Sequence, residues 1–226
     1  MTEDMKKKKY IPKVHSKLRH SFIVVPDEIY ECSGIKIFEK RIKSLLFTTD
    51  LAIIRNTNAD SIMCVYPYTP QTTITKSVIS TASVPCFIGV GGGTTSGLRS
   101  KYMALLSEFD GAYGVVVNAP IPNEDIKAIS EVIDVPLIAT VTSMKDDIVG
   151  KVENGAEILN VSGAGQTPQI VKEVRNLLGN EYPIIATGGR TGKSIKETIA
   201  AGANAISYTP PSSAEVFATV MDKYRK

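Results

Sequence analysis

Three stretches of the chain repeat one hydrophobic pattern: Val84-Pro85-Cys86-Phe87-Ile88-Gly89, Val135-Pro136-Leu137-Ile138-Ala139-Thr140 and Tyr182-Pro183-Ile184-Ile185-Ala186-Thr187. Their prolines lie 51 and 47 residues apart. A second pattern falls between them: Asp110-Gly111-Ala112-Tyr113-Gly114-Val115, Asn154-Gly155-Ala156-Glu157-Ile158-Leu159 and Ala201-Gly202-Ala203-Asn204-Ala205-Ile206. Asn58-Ala59-Asp60-Ser61-Ile62-Met63 is a weaker copy. Short apolar runs rich in Val and Ile, bounded by Gly or Pro, mark parallel strands buried on both faces. Proline at the start of a strand forfeits no ladder hydrogen bond. Gly-Ala ahead of the alternate strands suits a helix end, where glycine reaches the left-handed conformation cheaply. Two strand types alternating at this period make a repeating (βα)2 unit.

The pattern predicts strands at Ser44–Thr49, Ser61–Tyr66, Cys86–Val90, Tyr113–Asn118, Leu137–Val141, Ile158–Val161, Ile184–Thr187 and Ala205–Tyr208. Helix signals follow. Pro122-Asn123-Glu124-Asp125 opens a helix through Val132, with Asn123 as its cap and acids in its first turn. Thr167-Pro168 opens one that runs through Leu178 and ends at Gly179. Ser194–Ala201 and Ser213–Tyr224 behave likewise. Consecutive βα units over residues 44–226 predict one closed (β/α)8 barrel. The alternative, an open doubly wound sheet, needs its strands to run out of order.

Ahead of the barrel, residues 1–9 read as a disordered basic tail and residues 10–43 as a cap. The cap holds Phe22-Ile23-Val24-Val25-Pro26 and Ile35-Lys36-Ile37-Phe38, separated by Ser33-Gly34. Burying such side chains stabilises by roughly 1.5–3 kcal/mol each, so they must cover the barrel floor, its mouth or a second subunit. Lys36 between two isoleucines gives strand-like alternation, and Pro26 stops the earlier run. A short hairpin plugging the N-terminal face is the expected solution, with a homo-oligomer as the alternative cover.

Composition narrows the classes. The 226 residues are 43% hydrophobic, enough for a large core without metals or disulfides. Lys+Arg 26 against Asp+Glu 23 leaves a net charge of +3, too little for nucleic-acid binding over the whole surface. The basic excess is local, at Lys6 to Lys9. Cys32, Cys64 and Cys86 include no CxxC pair, which disfavours a zinc ribbon or a disulfide framework and suggests a reduced, cytoplasmic chain. No long apolar run predicts a membrane span.

Barrel chemistry sits at the C-terminal ends of the strands. The loops there are rich in Gly, Ser, Thr and Asn, with one carboxylate, Asp50, and two cations, Arg190 and Lys193. Asp50 is read as a general base or as the N-cap of the helix starting at Leu51. Asn118 and Thr142 are read as groups that orient a substrate. Gly188-Gly189-Arg190-Thr191-Gly192-Lys193-Ser194 opens a helix, and its exposed N–H groups suit an anion. Ser212 and Ser213 complete that site from the next strand. Gly192-Lys193-Ser194 imitates the end of a P-loop, but Thr187 stands where its first glycine is required. Gly91 and Gly92 form a loop admitting substrate, and Ser162 and Gly163 offer further donors. Lys43 lies at the wrong end of its strand for a Schiff base. His15 and His20 precede the barrel, as a solvated basic segment or folded over the mouth, so no serine has a barrel histidine to activate it. No metal-ligand spacing or cofactor motif is present, so neither a metal nor a cofactor is expected.

Ile184-Ile185-Ala186-Thr187-Gly188-Gly189 and Ala201-Gly202-Ala203-Asn204-Ala205-Ile206 resemble the phosphate-binding TIM-barrel superfamily. That group includes N-acylmannosamine-phosphate epimerases, thiazole- and thiamine-phosphate synthases, the inosine-monophosphate dehydrogenase barrel and glycerol-phosphate-responsive antiterminators. The resemblance covers roughly residues 44–226. It implies an anion site at the ends of the last two strands. The chain departs from the family at Thr209-Pro210-Pro211-Ser212-Ser213, where two prolines replace backbone donors. The epimerases' lysine and the dehydrogenases' cysteine have no counterpart. The reading is a barrel enzyme of isomerase or lyase type acting on a small phosphorylated or carboxylated metabolite. Its rival is a non-catalytic sensor like the antiterminators, contacting RNA or protein through Lys6–Lys9, Lys13, Lys17 and Arg19.

Overall fold

The computed structural model describes residues 10–14, 16 and 23–225. Lys6–Lys9, Lys17, Arg19, Phe22, His15 and His20 lie outside the described residues, whereas Lys13 is exposed. Strands β1 (Ile35–Ile37) and β2 (Lys40–Ile42) pair as an antiparallel hairpin, Ile37 opposite Lys40. After it come β3 (Ser44–Phe47), α1 (Leu51–Arg55), β4 (Ser61–Cys64), α2 (Thr72–Thr81), β5 (Cys86–Gly91) and α3 (Gly97–Phe109). The series continues with β6 (Gly114–Val117), α4 (Asn123–Ser130), β7 (Leu137–Val141), α5 (Ile148–Glu153), β8 (Ile158–Val161) and α6 (Thr167–Leu178). It ends with β9 (Ile184–Thr187), α7 (Gly192–Ala200), β10 (Ala205–Tyr208) and α8 (Ser213–Tyr224). The sheet closes in the order β10-β3-β4-β5-β6-β7-β8-β9 with every pairing parallel. This is a (β/α)8 TIM barrel. Ile206 opposite Ser44 and Tyr208 opposite Leu46 close the seam and exclude the open sheet.

Small boundary differences have local causes. β3 ends at Phe47, two residues before the expected end, because the Asp50 N–H turns back onto Thr48 Oγ1 at 3.1 Å. Asn123 is the first residue of α4, after Pro122 at the cap. Its side chain instead donates to Asp147 Oδ2 at 2.7 Å, in the next loop.

Strand side chains alternate between two shells. Leu46, Ile62, Ile88, Val115, Leu159 and Ile206 face outward into the layer shared with the helices. Inward, each strand contributes one buried apolar side chain to a single ring: Leu45, Met63, Phe87, Val116, Ile138, Ile158, Ile185 and Ala205. Ile35, Ile37 and Ile42 of the hairpin belong to the same cluster. The hairpin therefore plugs the N-terminal end of the barrel. Polar clamps hold it there. Asp60 Oδ2 accepts from Lys43 N at 2.9 Å and Ser44 N at 3.0 Å. Asn204 accepts from Gly34 N at 2.7 Å through its carbonyl and from Arg175 Nη2 at 2.6 Å through its side chain.

The first apolar run of the cap lies apart from the hairpin. Ile23 bridges Thr57, and Val25 N donates to Asn58 Oδ1 at 2.8 Å, outside the barrel. Pro26 and the 3-10 turn Asp27–Glu31 separate the runs, so the hairpin forms wholly within residues 35–42. None of the described side chains of α8 is fully buried, and Phe217 is 70% exposed. No helix among the described residues is long and apolar enough to cross a membrane.

Candidate binding site at the barrel mouth

Two residues beyond the apolar ring, the inward positions become Phe47, Val65, Gly89, Asn118, Thr140, Asn160, Thr187 and Ser207. From the end of β6 around to β10 this second layer is polar and uncharged. Asn118, Thr140 and Asn160 of this layer line a cavity of about 360 Å³ at the C-terminal mouth, together with Tyr66, Gly92, Thr142 and Ser162. Asn160 Nδ2 donates to Thr140 Oγ1 at 3.3 Å, and Thr187 Oγ1 donates to Ser162 Oγ at 3.2 Å. Asn160 is 7% exposed, yet its Oδ1 has no hydrogen-bond partner. Leaving a buried acceptor unpaired costs about 1–3 kcal/mol, a cost that a ligand donor removes.

The structure divides the residues singled out in the sequence. Gly92, Asn118, Thr142 and Ser162 line one cavity. Thr142 is partly committed, since its N–H donates to Asp146 Oδ2 at 2.6 Å. The others lie elsewhere. Asp50 is a helix cap: Oδ1 accepts from Ala52 N at 2.9 Å and Ile53 N at 3.1 Å, and Oδ2 accepts from Ser213 Oγ. The Ser213 hydroxyl holds its carboxyl below the usual value; burial opposes this, and the Ile53 and Ala52 N–H groups add to the lowering. A carboxylate so held is a poor proton acceptor near neutrality, and Asp50 does not line the mouth cavity.

Several of the expected anion donors are engaged by the protein itself. Ser212 N donates to Glu215 Oε2 at 2.7 Å in a capping box, so a carboxylate occupies the start of α8. Thr191 and Ser194 cap α7 in the same manner. Lys193 reaches outward to Glu197 at 3.9 Å and is 86% exposed. Arg190 is exposed, and its charge contributes to holding Glu215 low, behind the Ser212 hydrogen bonds. Gly163 N donates to Thr167 Oγ1 at 3.0 Å, and Gly188 N to Ser207 O at 3.3 Å. Gly92 and Gly93 likewise donate to Thr95 O at 2.7 Å and Pro120 O at 2.8 Å. Gly92 has φ +94, and a Cβ there would stand 2.1 Å from Asn118 O. Its glycine is therefore required by the packing of two loops. Gly92 and Gly93 are thus held in place at the edge of the mouth cavity.

Tyr66 and Tyr68 are the titratable side chains among the described residues that line the cavity. Burial raises the Tyr66 phenol, outweighing the backbone hydrogen bond from Gln71 at 2.9 Å, so it keeps its proton near neutrality. Burial also pushes the Cys64 thiol to about 11 and the Cys86 thiol to about 12, as befits core residues. Among the described residues no three His, Cys, Asp or Glu side chains converge as metal ligands.

Thr140 and Asn160 are missed when only the loops after the strands are read. Thr140 and Asn160 sit inside strands, where alternation carries the signal: Ile138, Thr140, Thr142 and Ile158, Asn160, Ser162 each share one face. A buried asparagine in an otherwise apolar strand marks the position.

No protein-family model and no curated protein matches the sequence. Solved structures do match. A phosphoenolpyruvate phosphomutase from Streptomyces platensis subsp. rosaceus superposes with a TM-score of 0.62 at 13% identity, over 87% of this chain and 83% of its own. A phosphonopyruvate hydrolase gives 0.61 at 14% identity, covering 80% and 79% of the two chains. A 4-hydroxy-tetrahydrodipicolinate synthase from Methylacidiphilum fumariolicum SolV gives 0.56 at 16% identity, covering 74% and 61%. At such identities the likeness is one of fold: the chain is a TIM barrel, without assignment to the phosphate-binding members its sequence resembles.

Proposed function

We propose that the mouth cavity binds a small, largely uncharged polar metabolite, on which the chain acts as a lyase- or isomerase-type enzyme. The observation that carries this reading is the buried, unpartnered Asn160 Oδ1 beside the cavity. It calls for a donor that the protein does not provide. Thr140, Asn118 and Ser162 surround it with hydroxyl and amide groups that orient a carbonyl and favour charge developing on its oxygen. Tyr66, protonated near neutrality, is the proton donor of the set. The phosphomutase, hydrolase and synthase activities named for the similar folds support this class of chemistry. A phosphorylated or carboxylated substrate is less well served, because among the described residues no lysine or arginine lines the cavity.

A metabolite panel followed by thermal shift tests the binding, since a specific ligand stabilises the fold by mass action. Hits then go into deuterium oxide, where proton exchange or bond cleavage is read by NMR. The expected outcome is turnover by the wild type and a 10²–10³-fold loss in Asn160→Leu, the range for a lost charge-stabilising contact. A second reading is the non-catalytic sensor. It is favoured by the lining, which contains no carboxylate, imidazole, amine or thiol among the described residues. Binding without turnover, together with RNA retention that weakens with salt and vanishes on deleting residues 1–20, decides for it.

A further inference from the structure

Beside the mouth runs a second space of a different character. It is a groove of about 420 Å³ between α1 and α2, lined by Leu51, Ile74, Ser77 and Val78 together with Tyr66 and Tyr68. The same two tyrosines line the mouth cavity, so their rings form the wall common to both spaces. The groove wall is mainly apolar, and Leu51 and Tyr68 stand 41% and 75% exposed at its edge. One space is thus lined by amides and hydroxyls, the other by hydrocarbon and ring faces, with a shared boundary.

From this juxtaposition we propose that the ligand is amphipathic. Its uncharged amide- or hydroxyl-bearing head lies against Asn160, and its apolar tail passes the Tyr66 and Tyr68 rings into the groove between α1 and α2. The inference rests on the mouth reading for the head and adds the tail subsite. An amide head answers either rotation of the Asn160 side chain, offering N–H to its oxygen or C=O to its nitrogen. A tail in the groove covers the exposed faces of Leu51 and Tyr68, whereas a head alone leaves them in water.

A homologous series of primary amides from acetamide to octanamide is the probe, titrated by calorimetry against three proteins. These are the wild type, Asn160→Leu, and Ser77→Trp. Ser77 is half-buried on α2, and its indole replacement fills the groove without touching the mouth cavity. In the wild type, affinity is expected to rise roughly three- to fourfold per methylene. In Ser77→Trp that rise disappears while the shortest amides bind as before. In Asn160→Leu the whole series weakens. Affinity independent of chain length in the wild type, or an unchanged rise in Ser77→Trp, overturns the tail subsite and leaves the head reading standing. Long amides that bind equally well to Asn160→Leu overturn the head reading. If no member of the series binds, both fail. Circular dichroism of each variant confirms that the barrel is intact.

Discussion

The two ends of this barrel are built from the same strands, two residues apart along each, and they differ in almost every physical respect. At the floor every inward position is apolar and the hairpin isoleucines close the ring; Asp60, Asn204 and Arg175 around it are paired, while Asp110 keeps one unpartnered carboxylate oxygen. At the mouth the inward positions turn polar from Asn118 to Ser207, and Asn160 keeps an unanswered acceptor. The floor gains stability from burial, while the mouth gives some of it up for a preorganised surface. Separating the two along the barrel axis lets the mouth remain unsatisfied without endangering the fold.

The strongest way to break this comparison is to open the floor. Phe87 is fully buried in the apolar ring, with its ring edge-on to Tyr113 at 6.3 Å between centroids. Phe87→Ala is expected to cost about 3–5 kcal/mol, read as a lower denaturant midpoint. A cost under about 1 kcal/mol means that the hairpin and ring are not the stabilising end.

The next effect belongs to the rim, at Asp50. Its depressed carboxyl places its contribution to stability above its unfolded value of about 3.9, to be lost as pH falls through the lower folded value. Asp50→Ala should cost about 0.5–2 kcal/mol near neutrality, as for other helix caps. The gap to wild type should close in acid. A gap that stays constant across this range removes the capping carboxylate as its cause, and lost turnover with unchanged stability restores the general-base role.

These contrasts were unequally visible in the sequence. The barrel was legible because its strands are buried on both faces, so period and punctuation survive as Val- and Ile-rich runs with Pro or Gly ahead. The mouth was half legible. Asn118, Thr142 and Ser162 end their strands and appear when loops are read, but Thr140 and Asn160 are hidden inside apolar runs. Asp50 shows the opposite failure. A lone carboxylate at a strand end fits a base and a cap equally well, and only the positions of Ala52, Ile53 and Ser213 decide. The glycine loops were harder to read because composition does not reveal which of their N–H groups are already taken. Thr167 takes that of Gly163, and the loop packing takes those of Gly92 and Gly93.

Asn160 offers a smaller but opposite effect on stability. Replacing an unsatisfied buried amide by an apolar side chain of similar size removes a desolvation cost, so Asn160→Leu should unfold at the same midpoint or up to about 1 kcal/mol higher. The same variant loses ligand. A destabilisation above about 2 kcal/mol assigns Asn160 to the core and erases the distinction between the two ends.

The smallest expected effect sharpens the picture on the rim itself. Lys193 is one of the two cations that the sequence offers to an anion, yet its ammonium is 3.9 Å from Glu197 on its own helix and faces solvent. Exposed pairs of this kind contribute little. The α7 start beside it is capped by Thr191 and Ser194, which engages the N–H groups of those two residues. Lys193→Ala should therefore leave both the melting curve and the response to inorganic phosphate unchanged. Phosphate protection of the wild type that vanishes in Lys193→Ala, while Asn160→Leu keeps it, moves the binding site to the ends of β9 and β10. The comparison that matters then lies between two sides of one rim, with the floor common to both.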